Sequence, residues 1–181
     1  VFADIDPAVR AAAEAQRALV ALPLSQRDKI VARIRERMLE HSEALASEAL
    51  AETGLGRLDD KIGKNRLVAE KTPGTEDLKP AALSGDRGLS LFEPAPYGVI
   101  GAITPVTNPT STIICNTIGM VAAGNGVVFN VHPSARKVSV RTVELINQAI
   151  REGGGPPNVV ATLAGPTIES AQELMKHPGV R

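Results

Sequence analysis

The spacing of apolar residues changes near residue 80. Before it, they return every three or four positions. The Ala-rich stretch over 6–20 predicts an amphipathic helix, with Pro7 in its first turn and Asp6 able to cap it. Ile30, Ile34 and Met38 recur four apart, and Val31 and Leu45 widen their stripe. This predicts one long helix, opened by Ser25 and Asp28 in a capping-box arrangement and ended by Gly54 and Gly56. A polar helix is expected over 58–71, stopped by Pro73 and Gly74.

After residue 80, short apolar runs alternate with helical stretches. Leu89, Leu91 and Glu93 suggest a short strand, and 98–104 a buried one ended by Pro105. Asn108 and Pro109 open a helix running to about residue 123, and Gly124, Asn125 and Gly126 turn the chain into a strand over 127–131. Ser134 is placed to cap a helix over 135–152, a Gly/Pro loop follows, and a third strand spans 158–163. Thr167 then opens a helix that ends near His177 and Pro178. This alternation predicts an α/β fold: N-terminal helices followed by half of a doubly wound, Rossmann-like parallel sheet with right-handed crossovers. The expected organisation is a helical segment over 1–80, a strand or linker over 81–97, and the first part of a nucleotide-binding domain over 98–181.

Charge narrows the function classes. Twenty Lys and Arg balance twenty Asp and Glu, which argues against nucleic-acid binding through bulk electrostatics. Of these residues 27 lie before residue 81, and none lies between Pro94 and Pro133. That uncharged stretch is no membrane span, because Pro94, Pro96, Pro105, Asn108, Pro109 and Gly124 interrupt it. The run Arg27, Lys29, Arg33, Arg35 and Arg37 reads as a solvated helix face. Cys115 is the only cysteine, so no disulfide framework exists, and its apolar helix marks it as a packing residue. No His, Asp or Glu spacing suits a metal. Gly153, Gly154 and Gly155 read as a flexible connection and not as a phosphate cradle. The chain opens on Val1 and stops at Arg181, where another strand is due, so it reads as trimmed in front and cut short behind.

In an open parallel sheet, ligands bind beyond the carboxyl ends of the strands, and residues 104–107 lie at such an end. Asn108 follows at a helix start. Spacing alone leaves two roles open for it: a simple N-cap, or a fixed amide donor for an oxyanion.

Residues 96–109, 113–125 and 127–135 closely resemble the CoA-acylating branch of the aldehyde dehydrogenase superfamily, the acetaldehyde and propionaldehyde dehydrogenases of bacterial microcompartments. The resemblance implies oxidation of a small aldehyde with NAD through a cysteine thioester, whose acyl group passes to coenzyme A. Asn108 matches the family's oxyanion-hole asparagine. Ile103, Thr104, Pro105 and Val106 match its cofactor-lining turn. Asn130, His132, Pro133 and Ser134 match the strand end that receives the adenosine ribose, and Gly165, Pro166 and Thr167 the loop beside the adenine and pyrophosphate. The resemblance places the catalytic cysteine in a later domain beyond Arg181, so this chain alone is expected to be inactive. It also implies a homo-oligomer, a dimer or tetramer, built on a ribbon that includes Leu91 and Phe92. The implied location is the cytoplasm or a microcompartment lumen, with the shell as a partner. Two departures are small: Val131 where the branch usually has Pro, and Gly126 where it usually has Ala. The rival reading is a truncated, non-catalytic NAD-binding fragment or assembly partner.

Overall fold

The computed structural model describes residues 1–181. Four helices come first: α1 (Ile5–Val20), α2 (Leu24–Glu40), α3 (Ser42–Thr53) and α4 (Leu58–Lys71). A hairpin of β1 (Ala81–Gly85) and β2 (Gly88–Phe92) follows. Then strands and helices alternate: β3 (Val99–Ile103), α5 (Pro109–Ala122), β4 (Gly126–Asn130), α6 (Arg136–Glu152), β5 (Val160–Thr162) and α7 (Ile168–Lys176). The last three strands form a parallel sheet in the order β3-β4-β5. No helix is long and apolar enough to cross a membrane.

Strand β4 is central and every residue of it is buried, which is why its sequence is a continuous apolar run and not an alternation. Val127 and Phe129 enter a large core shared with α2, α3, α5 and α6. Val128, pointing to the opposite face, meets Ile5, Val9 and Ala12 of α1 and Leu174 of α7. Helices therefore cover both faces, as a doubly wound sheet requires. Gly126 is fixed by this packing, since a Cβ there would lie 2.9 Å from the Ala12 carbonyl oxygen of α1. Phe2 adds a parallel bridge to Leu163 and so ties the first residues to the sheet.

Several local expectations are corrected. Helix α1 starts one residue before Asp6, which lies in the first turn and pairs with His177 Nε2 at 2.8 Å instead of capping. Helix α2 starts at Leu24 behind Pro23, so Ser25 caps nothing, and Asp28 accepts a hydrogen bond from the Thr75 hydroxyl. The predicted long helix breaks at His41, which lets α3 lie against both α4 and the start of α6 while Leu45 stays in the shared core. Ser134 does not cap α6. Glu52, at the end of α3, does so instead, its two carboxylate oxygens each 2.8 Å from the backbone nitrogens of Lys137 and Val138.

The basic run of α2 is not a solvated face. Arg27 donates to the Ala122 carbonyl at 2.9 Å, and burial lowers its pKa. Arg35 donates to the carbonyls of Ala69 and Thr72, and Arg33 and Arg37 converge on Glu152 of α6. Lys29 alone stays in solvent. The glycine loop is packed in place and is not a loose connection: Gln26 Nε2 donates to the Gly153 carbonyl at 2.6 Å, and a Cβ on Gly155 would strike Ile150 and Ile30.

The single strand expected near Leu89 is one arm of a hairpin. Its partner β1 gives only a weak strand signal, because Ala81–Gly85 is mostly small residues with Leu83 alone as a large apolar one, and without a strong alternation. Ala81 stands opposite Phe92, and Asp86 and Arg87 form the turn. Both strands are exposed throughout, with Leu89 71% and Leu91 63% accessible.

Candidate functional site

The carboxyl ends of β3 and β4 and the first turn of α7 enclose a cleft of about 290 Å³. Ile103, Thr104, Asn130, His132, Pro133 and Thr167 line it, so the fold gathers six of the expected cofactor residues from three separate segments. The other five lie outside its lining. Val106 packs on the core, Pro105 is exposed between the cleft and Asn108, and Ser134 sits in the short 3-10 turn before α6. Gly165 and Pro166 form the loop that leads to Thr167.

Asn130, Thr167 and His132 are held by specific hydrogen bonds. Asn130 is 3% exposed; its Nδ2 donates to the Thr167 carbonyl at 3.2 Å and its Oδ1 accepts from the Ser170 hydroxyl at 2.6 Å. The amide thus locks the end of β4 to the start of α7 and keeps one N–H uncommitted. Thr167 and Ser170 complete a capping box, and Glu169's own backbone N–H, followed by the Thr167 hydroxyl, holds the Glu169 carboxyl below its ordinary pKa. His132 Nδ1 accepts from the Ser134 N–H at 3.1 Å, which puts the proton of the neutral ring on Nε2. Thr104 is 3% exposed and its Oγ1 has no partner in the protein. A buried, orphaned hydroxyl bordering a cleft at the strand ends fits a site that takes a polar ligand.

Asn108 faces a different groove. It occupies the N-cap position of α5, yet its side chain makes no capping bond. Oδ1 accepts from Lys64 Nζ at 3.1 Å, and Nδ2 has only a long 3.4 Å contact to the Thr107 hydroxyl. A side-chain N-cap is therefore ruled out, and the amide keeps its donor side nearly free. Ser111, Thr112, Cys115 and Asn116 of α5 and Lys64 and Leu67 of α4 share this groove. Cys115 is accordingly half-buried at a groove wall and not a plain packing residue. Lys61, nearly buried, donates to the Thr107 carbonyl at 3.2 Å; burial first, and then the charge of Lys64, lowers its pKa. Sequence reasoning missed Lys61, Lys64 and Ser170. The one local signal was the three-residue spacing of the two lysines on a polar helix, which alone says nothing about what they reach.

The family model described as the aldehyde dehydrogenase family matches residues 2–181. The chain belongs to this family. An acetaldehyde dehydrogenase (acetylating) of Salmonella typhimurium is 49% identical over 180 residues, covering 99% of this chain and 38% of the relative. The propionaldehyde dehydrogenase of the Clostridium phytofermentans fucose utilisation bacterial microcompartment superimposes with a TM-score of 0.96 at 53% identity, over 99% of this chain and 41% of its own. A propionaldehyde dehydrogenase of Rhodopseudomonas palustris, solved with bound CoA and an acylated cysteine, gives 0.97 at 51% identity, over all of this chain and 42% of its own. The chain thus spans less than half the length of the aldehyde dehydrogenases it matches, and its helices and parallel sheet are a portion of their fold.

Proposed function

We propose that the protein carrying this chain is a CoA-acylating aldehyde dehydrogenase, which oxidises acetaldehyde or propionaldehyde with NAD and CoA to the acyl-CoA. The observation that carries this reading is the amide of Asn108: held at a helix start beside the strand ends, it leaves its donor side uncommitted to the helix. When a cysteine thiolate, supplied from outside residues 1–181, adds to the aldehyde carbon, negative charge grows on the carbonyl oxygen. A preorganised amide donor stabilises that charge as it forms. Bound in the cleft of Thr104, Asn130, His132 and Thr167, NAD supplies the hydride acceptor. The thioester that results is cleaved by CoA. Ile103, Pro105 and Val106 shape the turn between cleft and Asn108, and Pro133, Ser134, Gly165 and Pro166 its adenosine side.

The exposed ribbon of Leu83, Leu89, Leu91 and Phe92 supports a homo-oligomer, a dimer or tetramer, in which it is covered. Similarity to an enzyme of a microcompartment supports a place in the cytoplasm or in such a lumen, with the shell as neighbour. The test is NADH formation from acetaldehyde and propionaldehyde, with and without CoA, by the protein at the length its gene encodes. CoA-dependent NADH is the expected result, and Asn108→Ala should lower turnover roughly a hundredfold with NAD binding little changed. NADH formation independent of CoA would point to a hydrolytic enzyme. No NADH formation, with NAD still bound, would point to a nucleotide-binding assembly partner.

A further inference from the structure

Helix α4 acts as a clamp on the turn between β3 and α5. Lys61, Lys64 and Asn65 stand three and four residues apart and so share one helix face. Lys61 and Lys64 reach polar groups of that turn, and Asn65 one in the first turn of α5. Lys61 Nζ donates to the Thr107 carbonyl at 3.2 Å, Lys64 Nζ to Asn108 Oδ1 at 3.1 Å, and Asn65 Oδ1 accepts from the Thr110 hydroxyl at 2.8 Å. Asn65 is 1% exposed and its Nδ2 is fixed on the Ser42 carbonyl of α3 at 3.1 Å. Burial of Lys61 and Asn65 is tolerated only while their partners stay in place, so the turn and the start of α5 are held against α4.

The bond from Lys64 has a chemical consequence of its own. An ammonium group only donates, so it accepts nothing but the oxygen end of the amide as its neighbour. The flipped amide would set an NH2 group against the cation. Lys64 therefore selects the orientation in which Nδ2 faces away from α4. The charge-assisted bond also draws electron density from the amide and makes its N–H groups better donors. We propose that Lys64 is the positioning residue for Asn108, selecting and polarising the amide orientation that stabilises the oxyanion, while Lys61 and Asn65 hold the turn. The inference rests on the oxyanion role proposed for Asn108. Lys64 is solvent-exposed, so its substitution leaves the core intact.

The test uses the protein at the length its gene encodes, with Lys64→Met, Lys64→Arg, Asn108→Ala and the Lys64→Met/Asn108→Ala pair, assayed with a small aldehyde, NAD and CoA. Lys64→Met is expected to lower kcat by roughly tenfold to a hundredfold, the scale of a small misplacement at a reacting centre, with KM for the aldehyde little changed. Lys64→Arg should recover most of the loss, and Lys64→Met should add nothing in the Asn108→Ala background. An impaired Asn108→Ala beside a fully active Lys64→Met overturns this inference alone. So does a Lys64→Met loss of equal size in both backgrounds. An unimpaired Asn108→Ala overturns the oxyanion reading and this inference with it.

Discussion

Arg37 Nη2 lies 2.6 Å from both carboxylate oxygens of Glu152, joining α2 to α6 across 115 residues of sequence. Arg33 adds a second guanidinium at 2.7 Å, and Gln148 donates to the same carboxylate. The hydrogen bonds from Arg37, then Arg33, lower the Glu152 pKa from 4.5 to about 2. A carboxyl whose pKa is depressed in the folded state contributes stability above its unfolded value and loses it as pH falls through the folded one. Stability of the chain should therefore decline as pH is lowered from 4.5 to about 2. Glu152→Gln should remove Glu152's part of that decline. Urea unfolding of both proteins at a series of pH values reads the difference.

Glu52 caps α6 from another helix. Glu52→Ala should lower stability by about 1 kcal/mol, the usual worth of a lost N-cap. A shift of the urea midpoint with unchanged slope checks it. A Ser134→Ala variant should show no such shift, since its hydroxyl caps nothing.

Gly126 lets α1 lie directly on β4. Gly126→Ala forces its new methyl against the Ala12 carbonyl, and it should destabilise the chain by about 1–3 kcal/mol through overpacking. Thermal unfolding measures this, and a wider spacing between α1 and β4 in the variant's crystal structure would show how the strain is relieved.

Thr104 carries an unpartnered hydroxyl at the cleft. Thr104→Val keeps the shape and removes the orphaned group, so stability without ligand should be unchanged or slightly higher. Binding of NAD should weaken by about 1 kcal/mol, roughly fivefold, if the hydroxyl meets the ligand. Calorimetric titration of both proteins with NAD decides it.

The shift from helical to strand period near residue 80, the unbroken apolar run of β4, and the Gly and Pro stops located α4, β3, α5 and α6 to within a residue or two. Those signals act over a few neighbouring residues, so sequence alone carries them. The same is true of the end of β3, where a parallel sheet presents its carboxyl ends to one side and so puts Thr104 on the ligand side; Asn130 and Thr167 were implied only by the family resemblance. What the sequence could not decide is who meets whom. Glu52 reaches α6 from 85 residues away, Lys64 reaches Asn108 from 44, and Arg33 reaches Glu152 from 119. A basic stripe looks the same on paper whether it faces water or a neighbouring helix. Helix caps, the break at His41 and the free donor side of Asn108 depend on the path of the whole chain, because a polar group takes the partner that tertiary packing brings within hydrogen-bond reach, and that partner is seldom its neighbour in sequence.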